Sequence, residues 1–188
     1  MRVRALNILM CSVIISVFGR VLPLEAQERG KVIRLERDGL KLEMQALGHD
    51  AVQAFFIGRG FSAQNARMIA HEGCFFRSAI GNGQKTAGDK EITIDLRRWR
   101  LTGKGGRGGL RVREDWQKIW VERGVAEDAR TAFYWALFPT RQSYGPTDYN
   151  WGMLSFGLTP GTEFDLKLRW RFGAKEQLVT LKGLQCAR

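Results

Sequence analysis

The sequence predicts a mainly β protein, a single-domain antiparallel β-sandwich of immunoglobulin-like or cupredoxin-like form with two short helices and one disulfide. Three observations predict this fold. Short segments of alternating apolar and polar residues recur along the chain, and signals for tight turns separate them. Two cysteines remain once a signal-like N-terminus is set aside. The 188 residues, of which 44% are hydrophobic, are enough for one sizeable core.

The N-terminal segment has the layout of a secretory signal peptide. It begins with basic residues, is apolar over 5–18, and offers the small residue Ala26 at the cleavage position. Leu24 stands where a small side chain is preferred, so a retained anchor is the alternative. The apolar stretch is shorter than the roughly 20 residues that span a bilayer. We therefore expect a signal peptide over 1–26, one domain over 27–188, no transmembrane span in the mature chain, and a periplasmic or secreted protein.

The cysteine pattern predicts a covalent link within the mature chain. Cys74 and Cys186 are the two cysteines that follow the predicted signal peptide. In an oxidising compartment an even pair is most simply a disulfide. In the chain-entropy model, a disulfide that closes so long a loop stabilises the folded state by roughly four to five kcal/mol.

The first half of the domain opens with a predicted hairpin. Strands are expected at 32–36 and 40–46, on either side of an Asp38-Gly39 turn. Asp-Gly between alternating apolar segments is a strong hairpin signal. The apolar run at 52–58 predicts a further, buried strand.

Two short helices are predicted around the centre of the chain. The first begins at Ser62, a candidate N-cap, and ends at Gly73. The second covers 113–124, because its apolar side chains fall on one helical face and a glycine ends it. Between them, 74–80 and 91–99 indicate strands on both sides of a turn-rich stretch, and we expect these two to pair.

The C-terminal part predicts three more strands. Segment 129–138 is apolar and aromatic and is bounded by a proline. Segments 163–173 and 176–186 form a closing hairpin. The first of these alternates strictly between apolar and polar residues, which is typical of a half-buried antiparallel strand.

The polar face of that alternating strand is a candidate binding face. The chain has 30 Lys and Arg against 19 Asp and Glu, a net charge of +11, which favours an acidic partner protein or an anionic envelope surface. Nucleic acid is not expected, because the predicted compartment disfavours it. The face consists of Lys167, Arg169 and Arg171, joined by the following if their strands are neighbours: Arg97, Arg98, Arg100, Arg111 and Arg113. The alternative is a solvated face that only keeps the protein soluble.

An aromatic stretch near residue 150 is a candidate ligand loop. Tyr144, Tyr149 and Trp151, interleaved with Asp148 and with glycine and proline, could form a stacking surface for sugars or apolar ligands. The alternative is a long loop that folds over one end of the sandwich and is held there by its own aromatic side chains.

A third pattern predicts a soft-metal site. Met68 and His71 are three residues apart on the first predicted helix and so adjacent on its surface. A thioether beside an imidazole suits copper, but folding would have to bring further ligands. The alternative is an ordinary exposed helix end next to a structural disulfide.

These patterns favour a non-enzymatic binding or accessory protein whose basic face docks an anionic surface or an acidic partner protein. A copper-handling accessory protein is the alternative, and a carboxylate-based hydrolase is the second alternative. No catalytic residue is assigned, because the usual nucleophile and zinc-hydrolase motifs are missing from the sequence.

Overall fold

The computed structural model describes residues 31–85, 90–103 and 109–188, so the predicted signal peptide lies outside the described residues. Strands contain more of the described residues than helices do, as predicted. The strands are β1 (Ile33–Arg37), β2 (Leu40–Ala46), β3 (Phe75–Asn82), β4 (Ile92–Asp95), β5 (Arg100–Thr102), β6 (Arg141–Tyr144), β7 (Tyr149–Ser155), β8 (Glu163–Phe172) and β9 (Lys175–Gln185). The helices are α1 (His49–Ile57), α2 (Ala63–Gly73), α3 (Arg113–Glu122) and α4 (Glu127–Ala136).

The strands form two antiparallel sheets. The front sheet has the order β1-β2-β3-β7, and in the back sheet β8 pairs with β9 along one edge and with β4 and β5 along the other, while β6 follows β4. Inward side chains of both sheets share one apolar cluster, with Leu42 and Ile80 from the front sheet and Leu168 and Trp170 from the back sheet. The predicted sandwich is therefore confirmed.

The four helices form a second layer over one end of the front sheet's outer face. Phe75 on β3 and Met153 on β7 point away from the sandwich and join a second apolar cluster with side chains of the helices. Trp116 and Trp120 stack in that cluster with their ring centroids 5.1 Å apart. None of the described helices packs on the rest of this outer face.

Both predicted hairpins are present. β1 pairs with β2 across Asp38 and Gly39, whose φ angles of 45° and 77° suit a tight hairpin turn. β8 pairs with β9 over nearly its whole length. The predicted helix at 62–73 is confirmed as well, since the Ser62 hydroxyl accepts a hydrogen bond from the backbone N–H of Asn65 at 3.2 Å.

Two segments that were predicted to be strands are helices, so the described residues contain four α-helices and not the two that were predicted. Residues 52–57 belong to α1, and most of 129–138 belongs to α4. In α4 the side chains of Ala129 and Phe133 are buried but that of Thr131 between them is exposed, which fits the period of a helix and not that of a strand. The apolar run in α1 is too short for its period to distinguish a helix from a strand.

The predicted pairing of 74–80 with 91–99 is also wrong, because these segments lie in opposite sheets. β3 pairs with β2 and β7, whereas β4 pairs with β6 and β8. The turn-rich stretch between them therefore crosses from the front sheet to the back sheet instead of closing a hairpin.

The predicted disulfide is confirmed. Cys74 precedes β3 in the front sheet and Cys186 follows β9 in the back sheet, and the bond joins them with their Cα atoms 5.4 Å apart. Both residues are buried in the core that the two sheets share. The bond therefore closes one end of the sandwich.

Within the described part of the chain, every helix is too short or too polar to cross a membrane.

Candidate binding surfaces

The outer face of the back sheet carries the predicted basic strand. In β8 the side chains of Phe164, Leu166, Leu168 and Trp170 are buried between the sheets. The residues between them alternate to the other face, as the period of a strand requires. Three cations therefore project from one side of β8: Lys167, Arg169 and Arg171.

Arg98 and Arg100 adjoin these three cations. Arg100 on β5 is the register partner of Lys167, so the two side chains leave the same face. Arg98, in a single 3₁₀ turn between β4 and β5, bonds to Glu176 on β9. Arg169 bonds to the other oxygen of the same carboxylate at 2.6 Å. We call the set of five the basic face: Arg98, Arg100, Lys167, Arg169 and Arg171.

Glu176 neutralises part of this basic face. Partial desolvation opposes its ionisation, but the hydrogen bonds from Arg169 and Arg98 outweigh that effect and hold the pKa of the carboxyl below its usual value. Among the described residues, neither Lys167 nor Arg171 forms a salt bridge. Arg100 forms none there either, so Glu176 pairs with only two of the five cations, Arg98 and Arg169.

The other three predicted arginines lie near the start of α3 and turn toward it. Arg97 contacts Asp115, with Nη2 and Oδ1 3.2 Å apart. Arg111 and Arg113 lie over aromatic rings of the helical layer, with guanidinium carbons 4.8 Å and 4.1 Å from the ring centroids of Trp116 and Tyr134. The sheet therefore does not bring Arg97, Arg111 and Arg113 to the basic face.

The candidate ligand loop is a turn between two strands of different sheets. Tyr144 ends β6 with its ring buried, its hydroxyl donates to Oε1 of Gln142 at 2.8 Å, and burial raises its pKa above the usual value. The Asp148 carboxylate accepts a hydrogen bond from the backbone N–H of Gly145 at 3.0 Å and so shapes the turn. Neither residue presents a stacking surface.

Tyr149 and Trp151 do present one. They are 73% and 78% exposed and stand two residues apart on β7, on the same outer face of the front sheet. Trp135 at the end of α4 is also 73% exposed, and its exposure could not be read from an apolar segment that predicts a strand. Cross-strand register places Lys41 and Glu43 on this outer face too, a grouping that sequence spacing does not reveal.

The two predicted metal ligands lie in different surroundings. His71 is exposed at the end of α2, whereas Met68 is partly buried and packs against the helical cluster. Cys74 is consumed by the disulfide. No group of three or more His, Cys, Asp and Glu side chains in the described ranges could hold a metal ion. Copper binding stays a prediction.

Two of the carboxylates that a carboxylate-based hydrolase could use, Asp95 and Glu114, have structural partners. Asp95 binds Arg141, with Oδ2 and Nε 2.9 Å apart. Glu114 accepts a hydrogen bond from the Thr140 hydroxyl and lies 3.3 Å from Nε of Arg113. Asp95 and Glu114 are thus engaged in structural contacts, and the hydrolase alternative stays a prediction.

Comparison with known proteins gives no family: no family model, no curated protein and no solved structure matches this chain.

Proposed function

We propose that this protein is a non-enzymatic binding protein of the cell envelope that docks on an anionic lipid surface through the basic face. The observation that carries the proposal is the projection of Lys167, Arg169 and Arg171 from one side of a single strand. Cations on one face of a sheet add their fields, and a membrane rich in anionic lipid attracts them by about 1 kcal/mol each.

The composition of the face favours a lipid surface over an acidic partner protein. Protein interfaces draw much of their affinity from a few side chains buried in fitted pockets, and aromatic side chains are enriched among them. The described outer face of the back sheet carries no aromatic side chain, and Leu178, 44% exposed, is its one large exposed apolar residue. Contact through this face therefore relies on charge, which a lipid surface supplies without shape complementarity.

A periplasmic or secreted location fits this proposal. The disulfide between Cys74 and Cys186 suits an oxidising compartment, and the signal-like segment over 1–26 suits export. Intact-mass measurement of protein exported by its host should give a chain that lacks about the first 26 residues. A chain that retains them would favour the anchor.

Vesicle co-sedimentation tests the proposal. The probe is vesicles of phosphatidylglycerol and phosphatidylcholine, with phosphatidylcholine vesicles as the reference. The combined substitution Lys167→Gln, Arg169→Gln and Arg171→Gln should weaken binding at low salt on the order of 100-fold, since three cations at about 1 kcal/mol each are lost. Added salt should weaken binding of the wild type and reduce the difference in affinity between the wild type and the triple variant.

The matched control removes the same charge from exposed positions of the helical layer. Arg67→Gln, Lys118→Gln and Arg123→Gln together leave the basic face intact, and should cost far less affinity. Equal losses in the two triple variants would mean that net charge acts without a specific face. A wild type that sediments only with an acidic protein, and not with anionic vesicles, would contradict the lipid surface as the target.

A further inference from the structure

A second surface lies on the opposite side of the sandwich. Tyr149 and Trp151 lie on the part of the front sheet's outer face that none of the described helices covers, each about three-quarters exposed. Aromatic side chains of this size are usually buried, because each contributes a large apolar area. Two of them side by side on a regular strand therefore indicate a contact surface.

The strands beside β7 give this surface a shape. On β3 the register partners of Trp151 and Tyr149 are Ala79 and Gly81, whose side chains are small or missing. On β2 the register partners of Ala79 and Gly81 are Glu43 and Lys41, whose long side chains project from the same face. Two strand spacings separate the walls, or about 10 Å. We call this shallow depression the aromatic trough: Tyr149 and Trp151 on one wall, Ala79 and Gly81 as the floor, and Glu43 and Lys41 on the other wall.

The floor is kept low by the fold itself. A Cβ atom at Gly81 would lie 2.6 Å from both the carbonyl oxygen of Asp148 and the Cβ atom of Tyr149, so a side chain cannot be accommodated there. One end of the trough is bounded by Arg77, whose Nη2 donates to Oε1 of Gln45 at 2.5 Å. The depression is thus built into the sheet.

The walls are also held in place before any ligand binds. Nε of Arg34 lies 2.9 Å from Oε2 of Glu43, which orients that carboxylate at the rim. The side-chain oxygen of Asn150 accepts from the backbone N–H of Trp151 at 2.8 Å, and its amide donates to Gln142 at 3.2 Å. A preformed site loses less conformational entropy on binding.

The charges of this face argue for a neutral ligand. The cations Arg34 and Lys41 alternate with the anions Glu36 and Glu43 along β1 and β2, so the field is balanced. A polyanion or polycation would meet as much repulsion as attraction. A sugar ring is neutral, offers an apolar C–H face to an aromatic ring, and offers hydroxyl groups to the charged side chains around it.

We propose that the aromatic trough binds a neutral oligosaccharide, with a sugar ring stacked on Trp151 and its hydroxyl groups bonded to Glu43 and Lys41. Tyr149 would carry the next ring along the chain. This site lies on the opposite face from the basic face and does not depend on the lipid-docking proposal.

Calorimetric titration of the purified protein with neutral hexasaccharides of glucose and of N-acetylglucosamine tests this proposal. At least one should bind, and Trp151→Ala should weaken that binding on the order of tenfold or more, as expected for loss of one stacking contact. Trp151→Phe should retain part of the affinity, because the stacking face is kept. Tyr149→Ala should weaken binding severalfold.

Trp135→Ala is the matched control, since Trp135 is equally exposed. Leu137 bridges Met153 on the edge of β7 that faces away from β3, so Trp135 lies outside the trough. Its loss should leave glycan affinity unchanged within about twofold, and circular dichroism should find every variant folded. The proposal is overturned if no hexasaccharide binds at millimolar concentration, if Trp151→Ala binds like wild type, or if Trp151 is instead required for binding to phosphatidylcholine vesicles or a protein.

Discussion

The side-chain amide of Asn82 donates a hydrogen bond to the backbone carbonyl of Tyr144 at 3.1 Å, and this bond joins the front sheet to the back sheet. The same amide also donates to the carbonyl of Lys90 at 2.9 Å. β3 begins next to the disulfide of Cys74 and ends at Asn82, so the strand is tied to the back sheet at both ends. This double attachment fixes how the front sheet is aligned on the back sheet.

Asn82→Ala should destabilise the protein strongly. Asn82 is 4% exposed, and its loss would remove the hydrogen bonds that its amide makes with the carbonyls of Lys90 and Tyr144 and with the N–H of Gln84. One intramolecular hydrogen bond contributes about 1 kcal/mol net, so we expect a loss of about 2–3 kcal/mol in the free energy of unfolding, measured with urea. Asn65→Ala, at a half-buried position on α2, is the control and should cost less. Similar losses for the two would show that the amide of Asn82 does not join the sheets.

The disulfide should contribute a comparable amount. It spans 112 positions of the sequence, and removal of a native disulfide typically costs roughly 2–5 kcal/mol. Cys74→Ser with Cys186→Ser should lower the urea midpoint, and a reductant should lower that of the wild type but not of the double variant. Free thiols in the purified wild type, detected by alkylation and intact mass, would contradict the bond.

The sequence predicted the features that depend on neighbouring residues. The period of two from Phe164 to Trp170 identified β8 and its outward cations, and the count of cysteines identified the disulfide. The prediction failed for α1 and α4, where short apolar runs fit either period until a surrounding layer selects one.

Long-range features were out of reach for a different reason. The aromatic trough depends on Trp151 lying in register with Ala79, a residue more than 70 positions away, and no spacing within one strand encodes that alignment. Arg111 and Arg113 were wrongly predicted to join the basic face for the same reason. They lie just before and at the start of α3, where their guanidinium groups contact aromatic rings of the helical layer.

Glu176→Gln should strengthen binding to anionic vesicles at low salt, because it removes the carboxylate that Arg98 and Arg169 share. The pKa of Glu176 is held below its usual value of 4.5, so in the wild type this negative charge persists above that pH and is lost as the pH falls through the lower, folded-state pKa. Vesicle binding by the wild type should therefore rise on acidification more than binding by the variant. Glu127→Gln, which removes a carboxylate from the helical layer, should have little effect at any pH; a matching increase there would assign the gain to net charge.

Glu114 should make stability depend on pH. Partial burial opposes its ionisation, but hydrogen bonds from the Thr140 hydroxyl and from Arg113 lower its pKa below the usual 4.5. A depressed pKa contributes stability above the unfolded-state value, and that contribution disappears as the pH falls through the folded-state value. Glu114→Gln should thus be less stable than the wild type at pH 7, and the difference should shrink toward pH 3. Glu122→Gln on the same helix should show no such trend, and parallel pH profiles for wild type and Glu114→Gln would contradict the assignment.

The two stacked tryptophans of the helical layer should respond differently to the same substitution. Both are fully buried, but Nε1 of Trp116 donates to the Ser155 hydroxyl at 3.0 Å, which in turn donates to the carbonyl of Gly73 at 2.9 Å. Nε1 of Trp120 has no acceptor among the described residues. Trp116→Phe removes ring volume and a satisfied hydrogen bond, whereas Trp120→Phe removes similar volume together with an unsatisfied buried donor, whose loss offsets part of the cost.

We therefore expect Trp116→Phe to lower the free energy of unfolding by about 1–2 kcal/mol more than Trp120→Phe does. Urea unfolding followed by circular dichroism measures both, and the remaining tryptophans make fluorescence an independent second probe. Ser155→Ala tests this bond further. Its cost should be smaller in the Trp116→Phe background than in the Trp120→Phe background, because only Trp116 donates to the hydroxyl, whereas the bond from Ser155 to the Gly73 carbonyl is lost in both. Additive effects in both backgrounds would mean that the bond between Trp116 and Ser155 does not link the helical layer to β7.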